Sequence, residues 1–175
     1  RKMLNEKQNL TFVADTEAIR AAVTEKSESS LFLIARRNAA HVSKMEAEKL
    51  QYELKHKHAK GRALVEKERR AAEYLVEQTK INADAIQKYN HEELVKYQKG
   101  LEALKQKHDT MLNKILESKN TQARLVLSQQ LVAEKLSTTQ DYVSSITKHN
   151  EQLIKDMELL SKESSDQYQE KILDL

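Results

Sequence analysis

Six histidines are the side chains of this sequence best suited to bind a metal ion or transfer a proton. His56 and His58 lie two positions apart, so on a helix they point to different faces and cannot share an ion as a pair four apart can. The other histidines show no HExxH pattern of a zinc site; they are His41, His91, His108 and His149. The sequence therefore predicts no metal site and no cofactor, and His108 is interpreted as a polar residue of a helix interface.

Carboxylates are abundant, and two of them held together could perform acid–base catalysis. Such a pair needs a cleft that shifts the pKa values of its members. A chain built of extended helices, which the composition indicates, offers no such cleft. We therefore predict that the chain is not an enzyme and takes no small-molecule substrate.

The basic stretch KHKHAKGRALVEKERR, residues 55–70, could meet an anionic membrane. Nucleic acid is the less favoured ligand, because the stretch lacks the interleaved aromatic residues that stack on single strands. A solvated helix face with salt bridges to neighbouring residues explains the same pattern, and we favour it. The residues predicted for contact with an anionic surface are Lys55, Lys57, Lys60, Arg62, Lys67, Arg69 and Arg70.

The elements that carry these residues must be helices. The chain has only two glycines and no proline among 175 residues, so it has few places to turn. Charged residues make up 33% and aromatic residues 5%, which is too little large apolar surface for a round core. We predict an all-α fold of long extended helices that form a coiled coil or an elongated helical bundle.

Zero cysteines exclude a disulfide scaffold and fit a reducing compartment. We expect an intracellular protein, cytoplasmic or mitochondrial. The longest apolar run, LFLIA at residues 31–35, is far shorter than a membrane span. Because the chain begins at Arg1 without a methionine, we expect a fragment, and a membrane anchor could belong to a part of the protein outside this sequence.

Uncharged residues recur at alternating steps of three and four from Tyr97 to Leu160. This seam has 19 positions, of which 13 are apolar and none is Lys, Arg, Asp or Glu. Such spacing is typical of a coiled coil, so the seam should face another helix. The residues predicted to form the oligomerisation seam are Leu101, Leu104, Met111, Ile115, Leu125, Val132, Leu136, Val143, Ile146, Asn150, Leu153, Met157 and Leu160.

The residues beside the seam bear on how the helices pair. A parallel homodimer would oppose Lys114 with Lys119. Apolar residues at e positions widen the stripe, which suits a bundle of three or four helices; they are Leu112, Val126, Ala133 and Ile154. We therefore favour antiparallel or heteromeric packing.

Four segments follow from these patterns. Residues 1–26 are predicted as an N-terminal amphipathic helix, and Ser27 to Ser30 as the break after it. Residues 31–93 are predicted as a long helix of irregular register, and an 11-residue step from Ile86 to Tyr97 follows at its end. Residues 94–163 form the heptad segment, whose helix should continue across Ser118 to Thr121, and residues 164–175 form a polar acidic tail.

The segment SSITKHNEQLIKDMELLSK, Ser144 to Lys162, resembles the end of the b subunit of the mitochondrial ATP synthase peripheral stalk. The two share a serine–isoleucine start and a leucine–lysine finish, matched with a gap of several residues over about a tenth of the chain. The resemblance implies a long helix that holds the static part of a rotary machine.

Three functions remain open after the sequence analysis. The first is a non-catalytic structural or scaffolding protein that self-associates or pairs with partner helices as a tether or spacer. The second is a membrane-associated or membrane-shaping helical module that uses the basic stretch. The third is a peripheral-stalk subunit of a large complex.

Overall fold

The computed structural model describes residues 2–54, 59–118 and 120–174. Three α-helices account for nearly all of them: α1 from Lys2 to Leu54, α2 from Ala59 to Ser118, and α3 from Thr121 to Leu173. No strand occurs in the described part of the chain. The predicted all-α class is confirmed, and the helices form bundles.

The breaks between helices differ from those that the sequence predicts. α1 runs through Ser27 to Ser30, so the predicted break there is wrong. Ser30 does not cap a new helix; its hydroxyl donates to the carbonyl of Lys26 at 3.0 Å, a bond that a helix interior tolerates. The segment 31–93, predicted as one long helix, is divided between α1 and α2.

The helix predicted to continue across Ser118 to Thr121 instead ends at Ser118, and α3 begins at Thr121. Asn120 caps α3, because its side-chain oxygen accepts a hydrogen bond from the backbone N–H of Ala123 at 3.2 Å. Two helices can each carry a heptad pattern, so the pattern alone does not reveal the break between them.

The chain divides into two compact units. Unit 1 comprises Arg1–Thr24 and Lys88–Lys148, and unit 2 comprises Glu25–Gln87 and His149–Leu175. The residues from 164 onward, predicted as a polar acidic tail, continue α3 to Leu173 within unit 2.

In unit 1, α2 and α3 pack around a core of aromatic and aliphatic residues. The rings of Tyr97 and Tyr142 stack with their centres 4.8 Å apart. Tyr97 also shares a hydrogen bond with Thr139 at 2.8 Å, and Tyr89 shares one with Ser145 at 2.9 Å. Residue numbers rise along α2 as they fall along α3, so the two helices are antiparallel. The buried members of this core are Leu94, Tyr97, Leu101, Tyr142 and Ile146.

In unit 2, polar side chains join the helices between two apolar clusters. Ser161 donates to the buried Asn38 at 3.1 Å, and Tyr168 donates to Glu48 at 2.6 Å. Both bonds link α1 to α3, and the rising numbers on both helices show that they run parallel. The buried apolar residues are Leu31, Ile34, Leu75, Ile86 and Met157 in one cluster and Met45, Val65 and Tyr168 in the other.

A glycine allows a close contact at one position of unit 2. A Cβ atom at Gly61 would lie 2.8 Å from the ring of Tyr52, closer than real Cβ atoms approach other atoms. The buried Gly61 therefore lets the tyrosine ring of α1 lie against the backbone of α2.

Buried positions on the helices recur every 11 residues. On α2, Leu75, Ile86, Tyr97 and His108 are all buried at this interval. Residues repeated every eleven positions, or three turns, stay on one side of a nearly straight helix. Residues repeated every seven positions shift around a straight helix by about 20° per repeat. The heptad seam predicted from the sequence therefore cannot stay on the buried side of α2 and α3 along its whole length.

Candidate interaction surfaces

The structure separates the predicted seam residues into three groups by exposure. Four are buried, namely Leu101, Ile146, Asn150 and Met157. Four are partly buried, namely Leu104, Ile115, Val143 and Leu153. Five are exposed, namely Met111, Leu125, Val132, Leu136 and Leu160. Exposed members occur on both α2 and α3, and Leu160 at the end of the seam is one of them, so the heptad positions do not all face the core.

Three of the exposed seam residues lie on one side of α3 in unit 1. Leu125, Val132 and Leu136 are 60%, 65% and 56% exposed. Together with the exposed Gln129 they follow steps of four, three and four, which aligns them on one side of a helix. Leu127, which is buried, points the other way. We call Leu125, Gln129, Val132 and Leu136 the outer face of α3.

On α3 itself, the surroundings of the outer face carry little charge. Between residues 121 and 140 the only charged side chains are Arg124, Glu134 and Lys135, and each is partly buried. Burial lowers the pKa of Lys135. The exposed neighbours of the outer face are uncharged: Thr121, Gln122, Val126, Ser128, Gln130, Ala133, Ser137 and Gln140. In a chain with 33% charged residues, this is an unusually neutral surface.

His108 and Glu134 join α2 to α3 on the inner side of this region. His108 is 4% exposed, and its Nε2 donates to the Glu134 carboxylate at 2.8 Å. The hydrogen bond from His108 and the charge of Lys107, whose Nζ lies 3.9 Å away, lower the pKa of Glu134. The interpretation of His108 as a polar interface residue fits this position.

The basic stretch is only partly available to a ligand. Lys55 and Lys57 lie outside the described residues. Arg69 contacts the Glu66 carboxylate at 2.6 Å, and Arg70 contacts it at 3.1 Å. Arg69 reaches Glu73 at 2.6 Å as well, and Lys49 of α1 contacts Glu66 at 3.0 Å. Lys60 and Lys67 are exposed, and Arg62 is partly buried.

The pKa of Glu66 is held well below its usual range, first by its hydrogen bonds with Arg69 and Lys49. These contacts resemble the salt-bridged helix face that the sequence analysis favours, and binding to an anionic surface stays a prediction.

Unit 2 has an apolar groove between α1 and α2 that the sequence analysis missed. Its volume is about 930 Å³, and the exposed Phe32 and Leu33 line it beside small side chains such as Ala35, Ala39 and Ala83. The run LFLIA carries the sequence signal for this groove, because within it only Leu31 and Ile34, three residues apart, are buried in the core. The two intervening residues must then face outward.

Unit 2 also brings His41, Glu68 and Ser164 together. The buried Glu68 accepts a hydrogen bond from His41 at 3.0 Å and one from Ser164 at 3.4 Å. A nucleophilic serine needs its hydroxyl bonded to a base such as the imidazole. Here the hydroxyl is bonded to the carboxylate, so the arrangement joins three helices and prepares no nucleophile.

Groups able to hold a metal ion and helices able to span a membrane are both absent from the described part of the chain. In residues 2–54, 59–118 and 120–174, no group of three or more His, Asp or Glu side chains is arranged to hold a metal ion. Over the same ranges, no helix combines the length and the apolar composition that crossing a membrane requires.

Comparison with known proteins finds no matching family model, no similar curated protein and no similar solved structure. The resemblance of Ser144–Lys162 to a peripheral-stalk subunit therefore stays a prediction. Arguments about function rest on the surfaces described above.

Proposed function

We propose that this chain is a non-catalytic structural protein, a helical scaffold or spacer that assembles by pairing its helices with other helices. The observation that carries the proposal is the outer face of α3, which exposes Leu125, Val132 and Leu136 in uncharged surroundings. Exposed apolar patches ringed by polar residues are typical of protein interaction sites. Since the four positions follow heptad spacing, a second helix on this face would make a coiled-coil contact.

The arrangement of the rest of the chain supports a passive role. Side chains able to do chemistry are used to hold helices together, as Glu68 does with His41 and Ser164. Helices of 53, 60 and 53 residues suit a protein that sets a distance between its partners. We propose an intracellular setting for this assembly, because the sequence lacks cysteine.

The test is to charge the outer face and measure folding and surface properties separately. Val132→Glu should leave the thermal unfolding midpoint of the full chain within a few degrees, because Val132 is 65% exposed. The same substitution should sharply reduce retention of the chain on a phenyl column. Leu159→Glu in unit 2, where Leu159 is 56% exposed among charged neighbours, is the matched control and should reduce retention less.

Either of two outcomes would contradict the proposal. Unfolding of the Val132→Glu chain would show that this face belongs to the fold rather than to an interaction. Equal retention of the original chain, the variant and the control would show that the face is no more adhesive than the remaining surface.

A further inference from the structure

The spacing of the outer-face residues is the same in both directions along α3. Its four positions are spaced four, three and four, so they are symmetric about the point between Gln130 and Leu131. A two-fold axis through that point, perpendicular to the helix, places Leu125 against Leu136 of a second copy. It also places Gln129 against Val132 of that copy. A surface that is complementary to itself in this way can form an isologous, closed contact.

We propose that the outer face of α3 pairs antiparallel with the same face of a second copy of this chain, giving a closed dimer. This inference rests on the proposed function and adds the identity and direction of the partner helix. Between residues 121 and 140 the three charged residues, Arg124, Glu134 and Lys135, are each partly buried, so this surface suits a partner surface that is equally poor in charge, which the second copy provides.

The residues beside the outer face favour the antiparallel direction. Val126, which is 47% exposed, and Ala133 lie on the same flank, at e positions of the heptad. In an antiparallel pair, e positions face e positions, so Val126 would lie near Ala133 of the second copy and extend the apolar contact. In a parallel pair, the same two residues would face the g-flank residues Thr121 and Ser128 instead.

A depression beside this flank gives the second copy further apolar surface. Val126 and Gln130 line it together with Met111 and Ile115 of α2, and Met111 is 40% exposed. The second copy would therefore contact the end of α2 as well as α3. A contact of one helix segment on each side is small for a stable interface, so we expect association at micromolar or weaker affinity.

The test uses disulfide cross-linking, since the chain has no cysteine of its own. Leu125→Cys and Leu136→Cys are made as separate full-length chains, one of them carrying an affinity tag. A mixture of the two should cross-link at least tenfold more under mild oxidation than either chain alone. In the antiparallel pair, two thiols at position 125 are offset by about 16 Å along the helix axis, beyond the roughly 7 Å between Cα atoms that a disulfide allows.

Leu159→Cys is the matched control, because Leu159 is exposed on the same helix outside the outer face. Circular dichroism on each variant shows that it is folded. Sedimentation velocity of the unsubstituted chain, up to several hundred micromolar, should show dimers and no larger species, and Val132→Glu should remove the dimers.

Three outcomes would overturn the inference. Cross-linking of each variant with itself would indicate a parallel pair. A ladder of larger species would indicate an open-ended contact, such as docking of the outer face into the α1–α2 groove of the next copy. A monomeric chain whose variants do not cross-link above the control would show that the partner is not a second copy. Column retention and thermal unfolding would still test the proposed function in that case.

Discussion

Helix α3 presents a surface with little charge over residues 121–140 in unit 1 and a densely charged surface in unit 2. From 121 to 140, α3 carries three charged residues, Arg124, Glu134 and Lys135, and each is partly buried. From 151 to 171, nine exposed residues are charged, namely Glu151, Lys155, Asp156, Glu158, Lys162, Glu163, Asp166, Glu170 and Lys171. One helix with two such different surfaces shows that the neutral stretch is a local feature, not a property of the whole composition.

The inner sides of the two units differ as well. Unit 2 buries Glu68, which is 7% exposed and is hydrogen-bonded to two other helices. In unit 1 the side chain of Glu134 is 41% exposed, against 9% for the side chain of Glu68, and it contacts His108 and Lys107 of α2. Unit 2 therefore joins its three helices through a buried carboxylate, whereas unit 1 stacks Tyr97 on Tyr142 and joins α1 to α2 through the uncharged pair Thr24 and Asn90. The predictions below test this difference.

The largest effect should come from matched truncations in the two apolar cores. Ile86 in unit 2 and Ile146 in unit 1 are both 0% exposed. Ile86→Ala and Ile146→Ala should each reduce the free energy of unfolding by about 2–5 kcal/mol, because each leaves a cavity. Urea unfolding followed by circular dichroism measures the loss. Ile81→Ala, at a site 49% exposed, is the control and should cost much less.

A small effect of Ile146→Ala beside a large effect of Ile86→Ala would mean that unit 1 is loosely packed. The two units would then differ in packing density rather than in the chemistry of their polar contacts.

The next effect concerns the buried carboxylate of unit 2. Glu68→Ala leaves His41 and Ser164 without their acceptor and should cost about 1–3 kcal/mol in the free energy of unfolding. Glu68→Gln keeps an acceptor oxygen and should cost less. The exposed Glu77→Ala is the control and should stay within about 0.5 kcal/mol of the original chain. Equal losses for Glu68→Ala and Glu77→Ala would contradict a structural role for the buried acid.

The helical class follows from the sequence because almost no residue in it favours a turn. The positions of the breaks do not follow as readily. Ser27 to Ser30 resembles a cap but bonds within α1, whereas Asn120, a single residue, caps α3. The same side chains can bond to a helix interior or to a helix start, and the choice depends on contacts with distant residues.

The heptad pattern predicts the residues of the outer face, but it does not predict how exposed they are. The pattern selects Leu125 and Met157 equally, although the first is 60% exposed and the second 2%. Spacing shows that residues share a side of one helix, but it does not show which side another helix covers. The 11-residue interval at Ile86 and Tyr97 was the sequence signal for the buried side, and it extends much further than that single step.

A smaller effect should appear in the acid dependence of unit 1. The pKa of Glu134 is lowered from its ordinary 4.5 by the hydrogen bond from His108 and the charge of Lys107. The resulting stability is therefore fully present above about pH 4.5 and is lost as the pH falls through the lower folded-state pKa. Glu134→Gln should make the loss of stability below pH 4.5 less steep than in the original chain.

Thermal unfolding across this pH range measures the slope, with the exposed Glu151→Gln as the control. The same slope in the Glu134→Gln chain and in the original chain would show that the contact with His108 contributes nothing to folding.

The smallest effect should distinguish the two stacked tyrosines of unit 1. The hydroxyl of Tyr97 is bonded to Thr139, whereas the buried hydroxyl of Tyr142 has no hydrogen-bond partner among the described residues. Burial raises the pKa of Tyr142 to about 12, as expected for a hydroxyl removed from water. Tyr97→Phe should cost about 1 kcal/mol, and Tyr142→Phe should be neutral or slightly stabilising, because it removes an unsatisfied polar group. Urea unfolding of both single variants measures the difference.

A loss of stability in Tyr142→Phe as large as that in Tyr97→Phe would show that the hydroxyl of Tyr142 is hydrogen-bonded in solution. Unit 1 would then depend on buried polar contacts as much as unit 2 does.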